Sequence, residues 1–172
     1  MKRFVGGLVA LAVASHASLL AEPRYAHQTP PPKGILLSAA AKIKKVEPNW
    51  QFKSGVCNFR GPLLSEQVGV ECGVWALGGQ LAADTAITVS LHIVSSADAA
   101  SHWIGREARL ADGWTIADYH LADGARIETY LDGRQFSIEV RKGRLLMLVG
   151  ARTKSDAERF AKYLVEAISD KK

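Results

Sequence analysis

Apolar and polar residues alternate one for one between Ala86 and Val94. Ile87, Val89, Leu91 and Ile93 fall on one face, and Thr88, Ser90 and His92 point the other way. A period of two is the mark of a β-strand. Two more strand-like runs precede it, Trp50–Phe59 and Val68–Leu77. Upstream of them the period lengthens. Ile35, Leu36, Ala39, Ala40, Ile43 and Val46 recur at helical spacing, with Lys42, Lys44 and Lys45 on the wet side. Pro48 ends this helix, because the residue before a proline is pushed out of the helical region. Beyond Val94, Ser95 or Ser96 can cap a helix running to about Ala108, with Ala99, Ala100, Trp103 and Ile104 toward the core.

The C-terminal half is punctuated by Asp112-Gly113, Asp123-Gly124, Asp132-Gly133 and then Lys142-Gly143. Asp-Gly between alternating runs is a strong hairpin signal, since glycine accepts the positive φ that tight turns need. The turns delimit strands at about 114–121, 125–131, 134–141 and 144–150. A two-residue turn at Asp132-Gly133 pairs Ile127 with Ile138, Thr129 with Phe136 and Arg126 with Glu139. A two-residue turn at Lys142-Gly143 pairs Val140 with Leu145, Ile138 with Met147 and Phe136 with Val149. Both choices keep apolar residues on one face, which a one-residue slip destroys. For the first hairpin, a three-residue loop of Ala122 to Gly124 puts Tyr119 and Leu121 on that same face. Leu146, Leu148 and Ile116 then lie opposite, so the second face is expected to be partly covered.

A last helix is expected from about Asp156 to Ser169. Ser155 and Glu158 form a capping box, and Ala157, Phe160, Ala161, Leu164, Val165 and Ile168 make one apolar stripe. The order is α-βββ-α-ββββ-α. It predicts an α+β fold with a largely antiparallel sheet of about seven strands and two or three helices packed on it. This element order resembles that of the Mog1/PsbP-like α/β/α sandwiches. The resemblance rests on the order of elements and implies helices on both faces of the sheet.

The N-terminus changes the picture of where such a domain works. Lys2 and Arg3 precede an uncharged, mostly apolar run from Phe4 to Ala14, and small residues follow at Ser15-His16-Ala17 and Leu19-Leu20-Ala21. That is the pattern of a secretory signal peptide, and the run is shorter than the roughly 20 residues of a spanning helix. The expected organisation is a signal peptide over 1–21, a Pro-rich tether over 22–34 with Pro30, Pro31 and Pro32, and a single domain over 35–172. The expected location is periplasmic or secreted, without an integral membrane anchor after cleavage.

Charge adds little. Lys and Arg number 22 against 17 acids, and removing Lys2 and Arg3 leaves 20 against 17, a net of +3. A one-signed stripe suited to nucleic acid is missing from this balance, and export argues against that partner as well. The two cysteines, Cys57 and Cys72, read as one disulfide in an oxidising compartment. Their midpoint falls at Leu64-Ser65, so a hairpin turning there sets them opposite one another, closing a loop worth about 3 kcal/mol.

Candidate chemistry is sparse. His120 is the best-placed histidine, because the expected register sets it on one face with Asp118, Arg126, Glu128 and Glu139. An imidazole flanked by carboxylates can carry protons. Against this, charges paired across strands on a solvated face look the same in sequence. Asp112, Asp123 and Asp132 have a local role as turn formers, and neither metal-ligand spacing nor a cofactor motif is present, so no cofactor is expected. The aromatics Trp50, Phe52, Phe59, Trp75, Trp103, Trp114 and Tyr130 either line a pocket or fill the core. Arg134, Arg141, Lys142 and Arg144 cluster near turn tips. The reading that follows is an exported, non-enzymatic binding or accessory protein of the cell envelope, partnered by another envelope protein. The alternative is a small hydrolase or acid–base enzyme centred on His120, with Asp118 and Glu128 in support.

Overall fold

Among the described residues, three helices and seven strands follow the order α1 (Ile35–Val46), β1 (Trp50–Ser54), β2 (Gln67–Leu77), β3 (Ile87–Val94), α2 (Ala97–Gly105), β4 (Trp114–Tyr119), β5 (Gly124–Tyr130), β6 (Gln135–Lys142), β7 (Leu145–Ala151) and α3 (Lys154–Ser169). They are seen in a computed structural model, which describes residues 34–55, 67–82, 84–105, 113–130 and 133–169. Residues 1–33, over which the signal peptide and most of the tether are expected, lie outside the described residues. No described helix is long and apolar enough to cross a membrane.

The strands form one antiparallel sheet in the order β1-β2-β3-β7-β6-β5-β4. Two meanders therefore meet where β3 pairs with β7, and α2 carries the chain from the centre of the sheet to its far edge. The fold is α+β, as the periodicity predicts. α1 and α3 lie on one face over Trp75, Ile87, Val89, Leu91, Ile138, Met147 and Val149. α2 lies on the other, where Ala100 packs with Val94 and Leu146. The arrangement is thus three-layered, with an apolar face under α1 and α3 and a mixed face under α2.

Register follows the predicted faces but not every predicted pair. Ile127 faces Ile138, Thr129 faces Phe136 and Arg126 faces Glu139, as expected. In the next hairpin Lys142 pairs with Leu145, so Val140 faces Met147, Ile138 faces Val149 and Phe136 faces Ala151. The turn is Gly143-Arg144, with Gly143 at φ +55° in the first central position, the place glycine takes in a type II′ turn. The first hairpin also differs by two, since Tyr119 pairs with Ala125 and the loop spans 120–123 before β5 begins. Shifts of two preserve which face each side chain takes.

Helix ends are held by residues the local pattern does not all reveal. Ser96 caps α2, its hydroxyl accepting from the Ala99 amide at 3.0 Å. α3 begins earlier than expected. Thr153, not Ser155, accepts from the Asp156 amide at 3.1 Å, and donates to the Asp156 carboxylate at 2.7 Å. α1 starts after Gly34, whose φ of +97° suits glycine, and has no side-chain cap of its own. Its first amides are instead taken by the buried carboxylate of Glu71 on β2.

Candidate functional site

The alternation of β3 sends Thr88, Ser90 and His92 to the α2 face. That face is covered, so Ser90 is 6% and His92 only 1% exposed. A buried imidazole needs a partner at each nitrogen. Nδ1 lies 3.0 Å from Oε1 of Gln67, and Nε2 lies 3.2 Å from Oγ of Ser90. An amide oxygen only accepts, which assigns the proton to Nδ1 and leaves Nε2 to accept from the serine hydroxyl. Burial lowers the His92 pKa from 6.5 to about 4, so the ring is neutral at pH 7. Hydroxyl, imidazole and amide in line is the order of nucleophile, base and orienting group. Here the hydroxyl and the ring are both buried, and the arrangement is a polar relay on the face of the sheet that carries α2.

A second polar group lies on the same face toward the β4 edge. Arg126 on β5 places Nε 2.6 Å from the Glu139 carboxylate on β6 and an η-nitrogen 3.2 Å from Glu128. All three are largely buried. Burial pushes both carboxyl groups above their ordinary range. The charge of Glu139 raises Glu128 further, while Arg126 pulls both back down. One guanidinium thus holds two carboxylates. Asp118, exposed, is the cross-strand neighbour of Arg126 on β4.

The structure brings Asp118, Glu128, Arg126 and Glu139 to one face as the sequence indicates, but not His120. That residue follows the end of β4 in the loop and is exposed. The two-residue offset of the hairpin leaves it outside the paired ladder. The Asp123 carboxylate is used beyond its own turn, accepting at 2.6 Å from the amide of Gly143 in the β6–β7 turn. Among the described residues no group of three or more His, Cys, Asp or Glu is arranged to hold a metal ion.

The basic residues near the turn tips are used within the fold. Arg141 donates to the Ser101 hydroxyl and, at 2.6 Å, to the Asp123 carbonyl. Lys142 reaches the Val165 carbonyl at 3.1 Å, and Arg144 the Val94 carbonyl at 2.9 Å. The aromatic residues divide. Trp50 and Trp75 are core, packed on Phe160 at centroid distances of 5.0 and 5.3 Å. Phe52 leans on Trp75 at 4.8 Å. These three, with Leu37, Ala41 and Lys44, border a shallow cavity of about 330 Å³ between α1 and β1. Trp114 and Tyr130 pair at 4.8 Å on the opposite edge of the sheet.

Cys72 is buried at 3% exposure on the α2 face, across from Ser90. On its other side the ladder sets Ser54 against Gly73, and the Gly55 amide donates to the Cys72 carbonyl at 3.0 Å. This register differs by two residues from the one that puts Cys57 directly opposite Cys72. Cys57, Phe59, Asp112 and Asp132 lie outside the described residues, as does the side chain of Trp103.

Gln67, Ser90 and His92 are the functional candidates that sequence reasoning passed over. Their only signal is a histidine two residues from a serine on the polar side of a strand. No family model matches the chain, and no curated protein matches it. The resemblance to Mog1/PsbP-like sandwiches therefore stays one of element order.

Proposed function

We propose that the chain is exported and acts at the cell envelope as a non-enzymatic binding or accessory protein, meeting another envelope protein. The observation that carries this reading is the N-terminal pattern of Lys2-Arg3, the apolar run to Ala14 and the small residues at Ala17 and Ala21. The site geometry supports the non-enzymatic half. His120 stands exposed in the loop after β4, and Glu128 and Glu139 are both held by Arg126. Intact-mass measurement on envelope fractions tests export, with a mature N-terminus at Ser18 or Glu22 expected. Full-length protein from Met1 in the cytoplasm overturns it. Crosslinking in intact cells is expected to give one discrete protein adduct. A hydrolytic activity lost in His120→Ala would replace this reading with the enzymatic one.

A Cys57–Cys72 disulfide belongs to the same proposal. It is supported by the even cysteine count and by the absence of a free cysteine among the described residues. Two reactive thiols in the exported protein, counted after denaturation without reductant, would exclude it.

A further inference from the structure

Gln67 is the first residue of β2, and the ladder between β2 and β3 slips between Gln67 and Gly69. Val68, inside the slip, is 63% exposed. Backbone pairing is interrupted at this end of the strand. A side-chain bond spans the interruption, from His92 Nδ1 to Gln67 Oε1 at 3.0 Å, with Ser90 3.2 Å from the other nitrogen. In its neutral form the ring donates once and accepts once, which matches these two partners. A second proton turns Nε2 into a donor and places a charge where water is excluded.

Burial disfavours that charge, among neighbours of both signs. On this face β2 contributes Cys72, β6 contributes Arg141 and Glu139, and the β6–β7 turn contributes Arg144. β5 adds Arg126 and Glu128, and α2 carries Asp98. Arg141 lies in the same cross-strand row as His92, through Leu146, and Arg144 binds the Val94 carbonyl two residues along β3. Glu139 lies in the row of Ser90 and is paired with Arg126.

We propose that the Gln67–His92–Ser90 relay is an acid-released latch, holding the start of β2 on β3 while His92 is neutral and freeing it once His92 is protonated. This is a property of the fold and does not depend on export or on the proposed role. The direction follows from linkage. The closed state depresses the His92 pKa from 6.5 to about 4, so an opened state binds the proton more readily. The latch is fully held above about pH 6.5 and weakens as pH falls toward 4. A gap of that size shifts the ratio of closed to open by on the order of 100-fold.

Amide hydrogen exchange on the full chain between pH 7 and 4, corrected for intrinsic exchange, tests it. The amides of Gln67–Val70 are expected to lose protection by on the order of 100-fold, while those of β7 hold. His92→Gln keeps one donor and one acceptor without titrating, and is expected to flatten the response. Unchanged protection in the wild type, the same acid response in His92→Gln, or an even loss over all strands would overturn the latch. If the variant does not fold, NMR titration of the wild-type imidazole decides. Protonation below about pH 5 together with opening at Gln67 supports the proposal, and an ordinary titration near 6.5 defeats it.

Discussion

The carboxylate of Glu71, in the middle of β2, accepts from the Leu36 amide at 2.7 Å and from the Ile35 amide at 3.2 Å. Glu71 is 2% exposed and lies on the apolar face of the sheet. A buried charge there is tolerable because the first turn of a helix offers unpaired amides and the positive end of its dipole. The pair fixes where α1 lands on the sheet. Glu71→Ala strips the cap and should destabilise by about 2 kcal/mol, the range of hydrogen bonds to charged groups. Glu71→Gln retains one acceptor oxygen and should cost less. Urea unfolding of both variants checks the order, and an alanine variant within about 0.5 kcal/mol of wild type would refute the capping role.

Arg126 supports a pH-dependent prediction. Replacing it by leucine leaves Glu128 and Glu139 buried without their cation, a change that costs about 3–5 kcal/mol when a buried pair is broken. Both carboxyl groups already titrate above their ordinary range, chiefly through burial. In the folded variant they take up protons as pH falls, before the unfolded chain does. The destabilisation by Arg126→Leu should therefore be largest at pH 7 and shrink toward pH 5. The wild type shows the same sign more weakly, since a raised carboxyl pKa favours the folded state on acidification. Denaturation midpoints across that interval measure the effect, and a penalty that grows on acidification would contradict it.

The faces of this sheet were legible in the sequence, while several of its exact pairings were not. Alternation decides which side chains share a face, and sliding a strand by two leaves that answer unchanged. Asp132-Gly133 fixed Arg126 against Glu139 because the flanking strands extend symmetrically from it. At Lys142-Gly143 the glycine was placed second in the turn, whereas it stands first, and each pair moved by two. The same offset leaves His120 beyond the last paired residue of β4. α3 offered two overlapping cap motifs, at Thr153 and Ser155, and local pattern could not rank them. Glu71 and the relay of Gln67, Ser90 and His92 were out of reach for another reason. Their partners lie 35 and 25 residues away, so nothing near them in the chain announces that they are buried.

His120 itself should be silent in stability. It is exposed in the loop after β4, and surface changes of this kind fall within about 0.5 kcal/mol. His120→Ala should leave the thermal midpoint and the crosslinked adduct unchanged. A loss of the adduct would move the partner surface to this loop.

α3 has no basic residue in its last turn. Its C-terminal carbonyls are served from a distance, Val165 by Lys142 at 3.1 Å and Ala167 by Lys42 at 2.8 Å. Cations at this end also oppose the helix dipole. Lys42→Met and Lys142→Met preserve most of the aliphatic stem and should each cost about 1 kcal/mol. The two bonds stabilise the same helix end, so the double variant should fray it, seen as faster amide exchange in the last turn. No change in that exchange would show the bonds to be dispensable.

Gly73 is the position where absence of a side chain matters most. The ring of Phe52 lies over it, and a Cβ built there would stand 2.3 Å from the Phe52 Cζ and 2.9 Å from the Lys53 carbonyl oxygen. The ring is also braced against Trp75 at 4.8 Å. Phe52 therefore covers the bare backbone and joins β1 to the core. Gly73→Ala must displace the ring and strain the β1–β2 ladder, and overpacking of this kind costs about 1–3 kcal/mol. Shortening the ring should relieve part of this. Phe52→Leu alone loses packing against Trp75, but the Gly73→Ala, Phe52→Leu double variant should be less unstable than the sum of the two singles. Couplings between touching residues run from about 0.5 to 3 kcal/mol, well within the resolution of chemical denaturation. Strict additivity would mean that the backbone contact with Lys53, which no change at Phe52 can relieve, accounts for the whole cost.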